Sequence, residues 1–115
     1  MIKKQLLKKL NLSSFIALDF ETTGLSPHSD RIIEIAAIRY IDGKITDRFV
    51  TLVNPERHIS NIITDLTGIT NSMVATAPKE KDILDKFFTF IGDFPLIAHN
   101  ISFDMKFLNV LGDRF

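Results

Sequence analysis

Two acidic residues, Asp19 and Glu21, occupy alternate positions in the segment DFETTG, directly after the apolar run FIAL at residues 15–18. In an extended strand, side chains at positions i and i+2 point to the same face and lie about 7 Å apart. Two carboxylates held together in a partly buried place repel each other, and each takes up a proton unless a cation neutralises the pair. The spacing therefore indicates a metal site.

A third candidate emerges from the other twelve of the 14 acidic residues. Asp104 lies among Phe103 and Phe107 in a predicted helix, where an uncompensated charge is costly. The alternative for Asp104 is an ordinary first-turn acid that the helix dipole favours. Glu34 is also embedded in apolar sequence, but on an alternating strand we expect it to face solvent. Solvent exposure in turns, in loops and on a helix surface accounts for Asp30, Asp42, Asp47, Glu56, Glu80, Asp82, Asp85 and Asp93.

The first half of the chain predicts the strands that hold these acids. FIALDF has the pattern of a short buried strand. Residues 31–55 predict two strands joined at Asp42 and Gly43, a pair typical of tight hairpins because both positions tolerate positive φ. NIITDLTGIT then predicts a short helix or turn with Gly68 as its C-cap.

The second half predicts two helices around one short strand. From Pro78, PKEKDILDKFFTFIGDFP carries an apolar helical stripe and closes at Gly92. PLIAHN predicts a short strand, and ISFDMKFLNVLGDRF predicts a helix. The order β-β-β-α-α-β-α indicates a layered α/β or α+β domain.

Composition limits the class of protein. A chain of 115 residues with 45% hydrophobic content is one domain at most and has material for a core. Basic and acidic residues balance at 14 each, so affinity for a polyanion requires local clustering or bound cations. The lack of cysteine excludes disulfides and thiolate metal sites. No apolar run approaches the roughly 20 residues of a membrane span, so we expect a soluble cytoplasmic protein that does not bind through a membrane segment.

Residues 1–14 form a separate basic, amphipathic N-terminal segment. Four lysines alternate there with apolar residues in a helical pattern. Such a segment can bind DNA or an anionic membrane. More often it packs on its own domain or joins that domain to a neighbour, and we favour this interpretation for residues 1–14, with the domain proper at residues 15–115.

Five segments together resemble the DEDD superfamily of 3′–5′ exonucleases, specifically the proofreading, epsilon-type exonuclease domains of bacterial DNA polymerase III. They are DFETTGLSP, IIEIAAI, DGKITDRF, TGIT with the AP of ATAP, and AHNISFDMKFL. The resemblance runs from about Phe15 to the C-terminus. It implies an α/β, ribonuclease H-like fold, in which a mixed sheet is flanked by helices and the first strand is central.

The resemblance also implies the catalytic and metal-binding residues. Asp19 and Glu21 match the acids of the family's first motif, and Asp104 matches the acid of the second. Oxygen ligands without cysteine suit Mg²⁺ or Mn²⁺. In the two-metal scheme, ions about 3.5–4 Å apart activate a water and stabilise the leaving 3′ oxygen.

Substrate-binding residues follow from the same resemblance. The family places Thr22, Thr23 and Gly24 against the terminal nucleotide, where glycine permits close backbone approach. His99 and Asn100 belong to the second motif. Phe103 stacks on a base as aromatic residues do in single-strand sites, or else belongs to the core.

The family's third motif, a histidine general base with a fourth aspartate, has no counterpart up to Phe115. His28 and His58 lie in loop-like stretches, and we do not expect His99 to act as the base. Without a base and a fourth ligand, the second metal is weakly held and water activation is poor. We therefore expect an exonuclease-like domain that is incomplete at its C-terminus.

An incomplete domain has a structural consequence. It leaves the strand PLIA at an unpaired edge and exposes apolar surface from Phe94 and Phe103 to Phe107. Exposed edges and apolar patches associate. We therefore expect that the isolated chain self-associates through this edge or is a piece of a longer protein.

Three functions remain open. The leading one is a proofreading-type exonuclease domain that acts on single-stranded or frayed 3′ ends of DNA, with a DNA polymerase subunit or domain as partner. The second is a non-catalytic module that binds nucleic acid or polymerase with the same fold. The third is an exoribonuclease, because metal and phosphate contacts do not distinguish DNA from RNA.

Overall fold

A computed structural model describes residues 13–115, so the prediction for the N-terminal segment lies outside the described residues except for its last two positions. Ser14 already begins the first strand. The strands are β1 (Ser14–Thr22), β2 (Ile32–Ile41), β3 (Lys44–Leu52) and β4 (Leu96–Ile97). The helices are α1 (Asn61–Thr67), α2 (Asn71–Val74), α3 (Glu80–Ile91) and α4 (Ile101–Arg114).

The strands form one mixed sheet in the order β3-β2-β1-β4. β1 and β3 are antiparallel to β2, and β4 is parallel to β1. The β2–β3 hairpin turns at Asp42 and Gly43, whose φ angles are 52° and 78°, as the sequence predicts. β1 is interior in the sheet, and helices cover one sheet face, so the predicted α/β architecture is confirmed. Over residues 13–115, no helix has the length and apolar character that crossing a membrane requires.

The main core lies on one face of the sheet, beneath α3 and α4. Alternate residues of β1 point into it, and α3 and α4 contribute their apolar stripes. The buried members from these three elements are Ile16, Leu18, Phe20, Ile83, Phe87, Ile91, Phe107, Leu108 and Leu111. The intervening residues of β1, among them Asp19 and Glu21, therefore point to the opposite face.

The opposite face of the sheet, which we call the open face, has no helix packed on it within the described residues. It contains a cavity of about 380 Å³ that Ala17, Ile38, Tyr40 and Ile97 help to line. The Tyr40 ring stacks on Phe15, with ring centroids 4.9 Å apart. The open face therefore combines apolar side chains with the carboxylates at the end of β1.

The prediction for the sheet edge is confirmed in part. β4 has only two residues and lies at the end of the sheet as described. The prediction of exposed apolar surface from Phe94 to Phe107 is wrong. Phe107 is buried, and Phe94 and Phe103 pack half-buried against the main core. Phe103 and Phe107 turn inward because they share the apolar side of α4.

Candidate active site

β1 brings Asp19 and Glu21 to one side of the sheet, as the alternation predicts. Asp19 is exposed and Glu21 is half-buried. The β1–β2 register is regular up to Glu21 and shifts between Glu21 and Thr22. The strand therefore presents both carboxylates just before its regular pairing ends.

α4 brings Asp104 to the same strand. The Asn100 side chain caps this helix by accepting a hydrogen bond from the Phe103 N–H at 3.3 Å. Asp104 is only 4% exposed, and its Oδ1 accepts a hydrogen bond from the Phe20 N–H at 3.2 Å. Because Phe20 lies between Asp19 and Glu21, this bond anchors the third carboxylate beside the first two.

Desolvation raises the pKa of all three carboxylates, and neighbouring acids raise the pKa values of Glu21 and Asp104 further. Although the Asp19 side chain is exposed at the surface, partial desolvation by the surrounding protein raises its pKa, and the neighbouring His99 opposes this shift. Burial also raises the pKa of Glu21, with further increases from Asp19 and Asp104. The pKa of Asp104 is raised by burial and by Asp19, although the Phe20 N–H partly offsets the increase. Mutual repulsion of this kind is what a bound cation relieves.

Glu34 is a fourth acid at this site, and it does more than face solvent as the sequence predicts. It is half-buried and lies directly opposite Glu21 in the β1–β2 register, where its charge raises the pKa of Glu21 further. Directly opposite residues of antiparallel strands project to the same face. The sequence shows alternation within a strand but not the register between strands, so it could not place Glu34.

Thr22 and Thr23 are buried, and their hydroxyl groups are engaged within the chain. Thr22 Oγ1 donates to the Gly24 carbonyl at 2.6 Å, and Thr23 Oγ1 donates to Asp30 Oδ1 at 3.0 Å. A Cβ atom on Gly24 would lie 2.4 Å from Asp30 Oδ2. The Asp30 side chain therefore requires glycine at position 24, independently of any contact between Gly24 and a substrate.

The remaining predicted substrate residues divide between surface and core. His99 is exposed and lines the open-face cavity together with Asp19. The side chain of Asn100 is occupied as the helix cap. Phe103 packs against the main core, with its ring centroid 4.9 Å from that of Phe107, which favours the core interpretation.

Asp30 and Glu80 are not the solvated acids that the sequence predicts. Glu80 is 7% exposed; it forms an ion pair with Arg114 and lies 3.8 Å from the Arg31 Nε atom. Asp30 accepts hydrogen bonds from several groups of the loop that follows β1. Their partners lie far along the chain or across a loop, so no local pattern could identify them.

The donor chemistry of the site fits a hard divalent cation. Within residues 13–115, no three acidic or histidine side chains converge closely enough to hold a metal by themselves. Mg²⁺ commonly takes only one or two carboxylates and completes its shell with water and phosphate oxygens. Such oxygens are supplied by Asp19, Glu21 and Asp104, whose carboxyl groups all have raised pKa values. The role of these three residues as metal ligands stays a prediction.

Comparison with known sequences relates the chain to exonucleases and to PolC-type DNA polymerases. A family model described as exonuclease (RNase_T) matches residues 16–111. The PolC-type DNA polymerase III of Oceanobacillus iheyensis is 48% identical over 102 residues, which are 89% of this chain and 7% of the polymerase. That of Bacillus subtilis is 48% identical over 101 residues, 88% of this chain and 7% of the polymerase. The chain thus spans a small fraction of these relatives.

Solved structures share the fold. Exonuclease X in complex with 5′ overhanging duplex DNA superposes with a TM-score of 0.68 and 37% identity, over 80% of this chain and 52% of its own. E. coli exonuclease I in complex with an oligonucleotide gives a TM-score of 0.76 at 22% identity, over 89% of this chain and 24% of its own. The ribonuclease H-like fold and the resemblance to the exonuclease superfamily are confirmed. The chain therefore belongs to the RNase_T exonuclease family.

Proposed function

We propose that this chain is a metal-dependent 3′–5′ exonuclease domain of the proofreading type, which removes nucleotides from single-stranded or frayed 3′ ends of DNA. The observation that carries the proposal is the hydrogen bond from the Phe20 N–H to Asp104 Oδ1, because it ties the third carboxylate to the strand that bears Asp19 and Glu21. The PolC-type relatives support a polymerase subunit or domain as partner and a cytoplasmic location.

Asp19, Glu21 and Asp104 are the residues that would hold Mg²⁺ or Mn²⁺. When bound in the two-metal manner, these ions supply Lewis-acid stabilisation of the charge that develops on the phosphodiester and make a water molecule nucleophilic. The protein contributes oxygen donors. Burial, together with their negative charges, raises the pKa values of Glu21 and Asp104, and a bound cation would relieve the repulsion between these charges. The protein also fixes the direction of Asp104 through a backbone donor.

The other site residues bind and orient the substrate in this proposal. His99, which lies beside Asp19 and is exposed at the open-face cavity, would meet the phosphate of the terminal nucleotide. Thr22 and Thr23 act through the backbone shape that their internal hydrogen bonds stabilise. Gly24 has no side chain of its own, which would permit a substrate to approach the backbone closely on the side away from Asp30. We assign Phe103 to the core that supports α4 rather than to base stacking.

A non-catalytic module is the second candidate function. It is favoured by the lack of a complete three-ligand metal group among residues 13–115. Such a module would bind nucleic acid or polymerase without cleaving a phosphodiester. The two functions differ in one measurable property, namely release of nucleotides.

The test follows the shortening of a 5′-labelled single strand in Mg²⁺, in Mn²⁺ and in EDTA. We expect a descending ladder from the 3′ end with wild-type chain in either metal, and none in EDTA. Asp19→Ala should abolish the ladder, whereas Asp93→Asn, which changes an exposed loop acid, should retain it. An RNA strand of the same sequence tests the exoribonuclease alternative.

Cation binding has a readout that does not depend on cleavage. Mn²⁺ should raise the melting temperature of the wild-type chain and leave that of Asp19→Ala unchanged, because a ligand that binds only the folded state stabilises it. A metal-dependent rise in melting temperature without any ladder would favour the non-catalytic module. A ladder of equal intensity from Asp19→Ala would overturn the proposed exonuclease site.

A further inference from the structure

The loop of residues 23–31 connects β1 to β2 and follows directly after the carboxylates. It carries Leu25, which is 84% exposed, on its outer surface. A loop needs hydrogen bonds from side chains to keep one shape, because its backbone lacks the hydrogen-bond ladder of a strand. In this loop the anchor is Asp30, whose side chain is only 16% exposed.

The Asp30 carboxylate accepts hydrogen bonds from the start and the middle of the loop and from one residue outside it. Oδ1 accepts hydrogen bonds from Thr23 Oγ1 at 3.0 Å and from the Arg57 guanidinium at 3.2 Å. Oδ2 accepts from the Ser26 N–H at 3.0 Å. Hydrogen bonds to an ionised acceptor are stronger than those between neutral groups. The Asp30 carboxylate thus links Thr23, Ser26 and Arg57 through hydrogen bonds.

The backbone closes the same arrangement. The Asp30 N–H donates to the Ser26 carbonyl at 2.7 Å, and the Thr23 N–H donates to the Arg31 carbonyl at 2.8 Å. In return, the Arg31 N–H donates to Thr23 Oγ1 at 3.0 Å. Thr23 is therefore bonded to Asp30 and Arg31 at once, so a shift of Asp30 moves the segment that adjoins the carboxylates.

Gly24 and Asp30 are sterically coupled. A Cβ atom at Gly24 would lie 2.4 Å from Asp30 Oδ2, 2.7 Å from Cγ and 2.8 Å from Oδ1. All three distances are too short for van der Waals contact, so any side chain at position 24 displaces the Asp30 carboxylate. The same carboxylate cannot then keep its bonds to both Thr23 and Ser26.

We propose that Asp30 is a positioning residue that holds the 23–31 loop against the 3′-terminal nucleotide and takes no part in the chemistry. The proposal rests on the proposed nucleic-acid function of this site. It adds a residue outside the carboxylate set and explains why glycine occupies position 24. Asp30 acts through Thr23, Gly24 and Ser26, whose backbone it orders.

The first experiment measures binding and catalysis separately. Fluorescence anisotropy in EDTA gives the Kd of a single strand without turnover, and steady-state assays in Mn²⁺ give KM and kcat. Asp30→Ala and Asp30→Asn should weaken binding and raise KM about tenfold, the effect of one charge-assisted hydrogen-bond set, while kcat changes less than about threefold. Asp93→Ala is the matched control and should leave all three constants unchanged.

The second experiment is a double-mutant cycle on strand affinity. Gly24→Ala alone should weaken binding about tenfold, but in the Asp30→Ala background it should add little, because the clashing carboxylate is gone and neighbouring sites are not additive. Amide proton exchange at Ser26, which should accelerate in Asp30→Asn, reports the loop directly and distinguishes a local change from global unfolding.

The outcomes separate this inference from the proposed function. Weakened binding in Asp30→Ala with no nucleotide release by the wild-type chain would retain the loop role and remove the exonuclease. Unchanged Kd and KM in both Asp30 variants, or full additivity of Gly24→Ala and Asp30→Ala, would overturn the positioning role even if the exonuclease is active.

Discussion

At the scale of single residues, the site depends on the hydrogen bond that the buried Asp104 carboxylate accepts from the backbone of β1. Asp104 lies in the core-facing part of α4 and remains tolerable there because the Phe20 N–H and the start of the helix solvate it. The sequence predicted Asp19, Glu21 and Asp104 because alternation and the cost of an embedded charge are local properties. It missed Glu34 and Asp30 because register and loop closure bring together residues distant along the chain.

Paired substitutions at Asp104 test its structural role apart from its chemistry. Asp104→Ala leaves the buried Phe20 N–H without an acceptor, which costs about 1–3 kcal/mol of folding free energy. Asp104→Asn keeps an acceptor oxygen and removes the charge, so it should be at least as stable as wild type near neutral pH in EDTA. Urea unfolding of the two variants measures the difference. Equal destabilisation by both would contradict the assigned hydrogen bond.

The pH dependence of stability follows from the raised pKa values of the three carboxyls. A raised pKa in the folded state means that the folded chain binds protons more tightly than the unfolded chain. The resulting stabilisation is complete below the unfolded value of about 4 and is lost as pH rises through the folded value. In EDTA, wild type should therefore lose stability relative to Asp104→Asn as pH rises from about 4. A difference that does not change with pH would contradict the shift at Asp104.

At the scale of elements, local signals predicted most of the secondary structure. The hairpin at Gly43 and the left-handed C-cap at Gly68, with φ angles of 78° and 76°, agree with the turn chemistry of the sequence. α2 was missed because its four residues are too short to show an apolar period. The ion pair between Glu80 at the start of α3 and Arg114 at the end of α4 was not predictable either, because the two residues lie far apart along the chain.

The ion pair of Glu80 and Arg114 should affect stability asymmetrically. Arg114→Met leaves the buried Glu80 charge with only the more distant Arg31, so we expect a loss of roughly 3 kcal/mol. Glu80→Gln leaves Arg114 free to reach water, since its side chain is 21% exposed, and should cost roughly 1 kcal/mol. Chemical denaturation compares the two variants. A larger loss for Glu80→Gln would contradict this assignment of the buried partner.

At the scale of the whole molecule, one sheet face is covered and the other is open within the described residues. The sequence predicted the layered α/β fold, because the strand patterns and the helix patterns each indicate the same layered arrangement. It could not show which sheet face lacks a helix, because both faces of β1 carry apolar residues. The open face therefore joins the carboxylates to an apolar surface.

Self-association of the isolated chain remains the prediction from this surface and from the short edge strand β4. Sedimentation velocity should show a mass that increases with concentration, because exposed apolar patches and strand edges pair. Tyr40→Lys places a charge on the open face away from Asp19 and should shift the chain toward monomer. A compact monomer at all concentrations would contradict the prediction.

The central claim is that Asp19, Glu21 and Asp104 form one metal-dependent nuclease site, and a single-turnover cleavage rate tests it most directly. The assay compares wild type with Asp104→Asn, which keeps the hydrogen-bond acceptor for Phe20, on a 3′-hydroxyl DNA strand in Mn²⁺. We predict a rate at least about a thousandfold lower for Asp104→Asn, equivalent to roughly 4 kcal/mol of transition-state stabilisation, with an unchanged fold by circular dichroism. A folded Asp104→Asn chain that cleaves at the wild-type rate would contradict the claim.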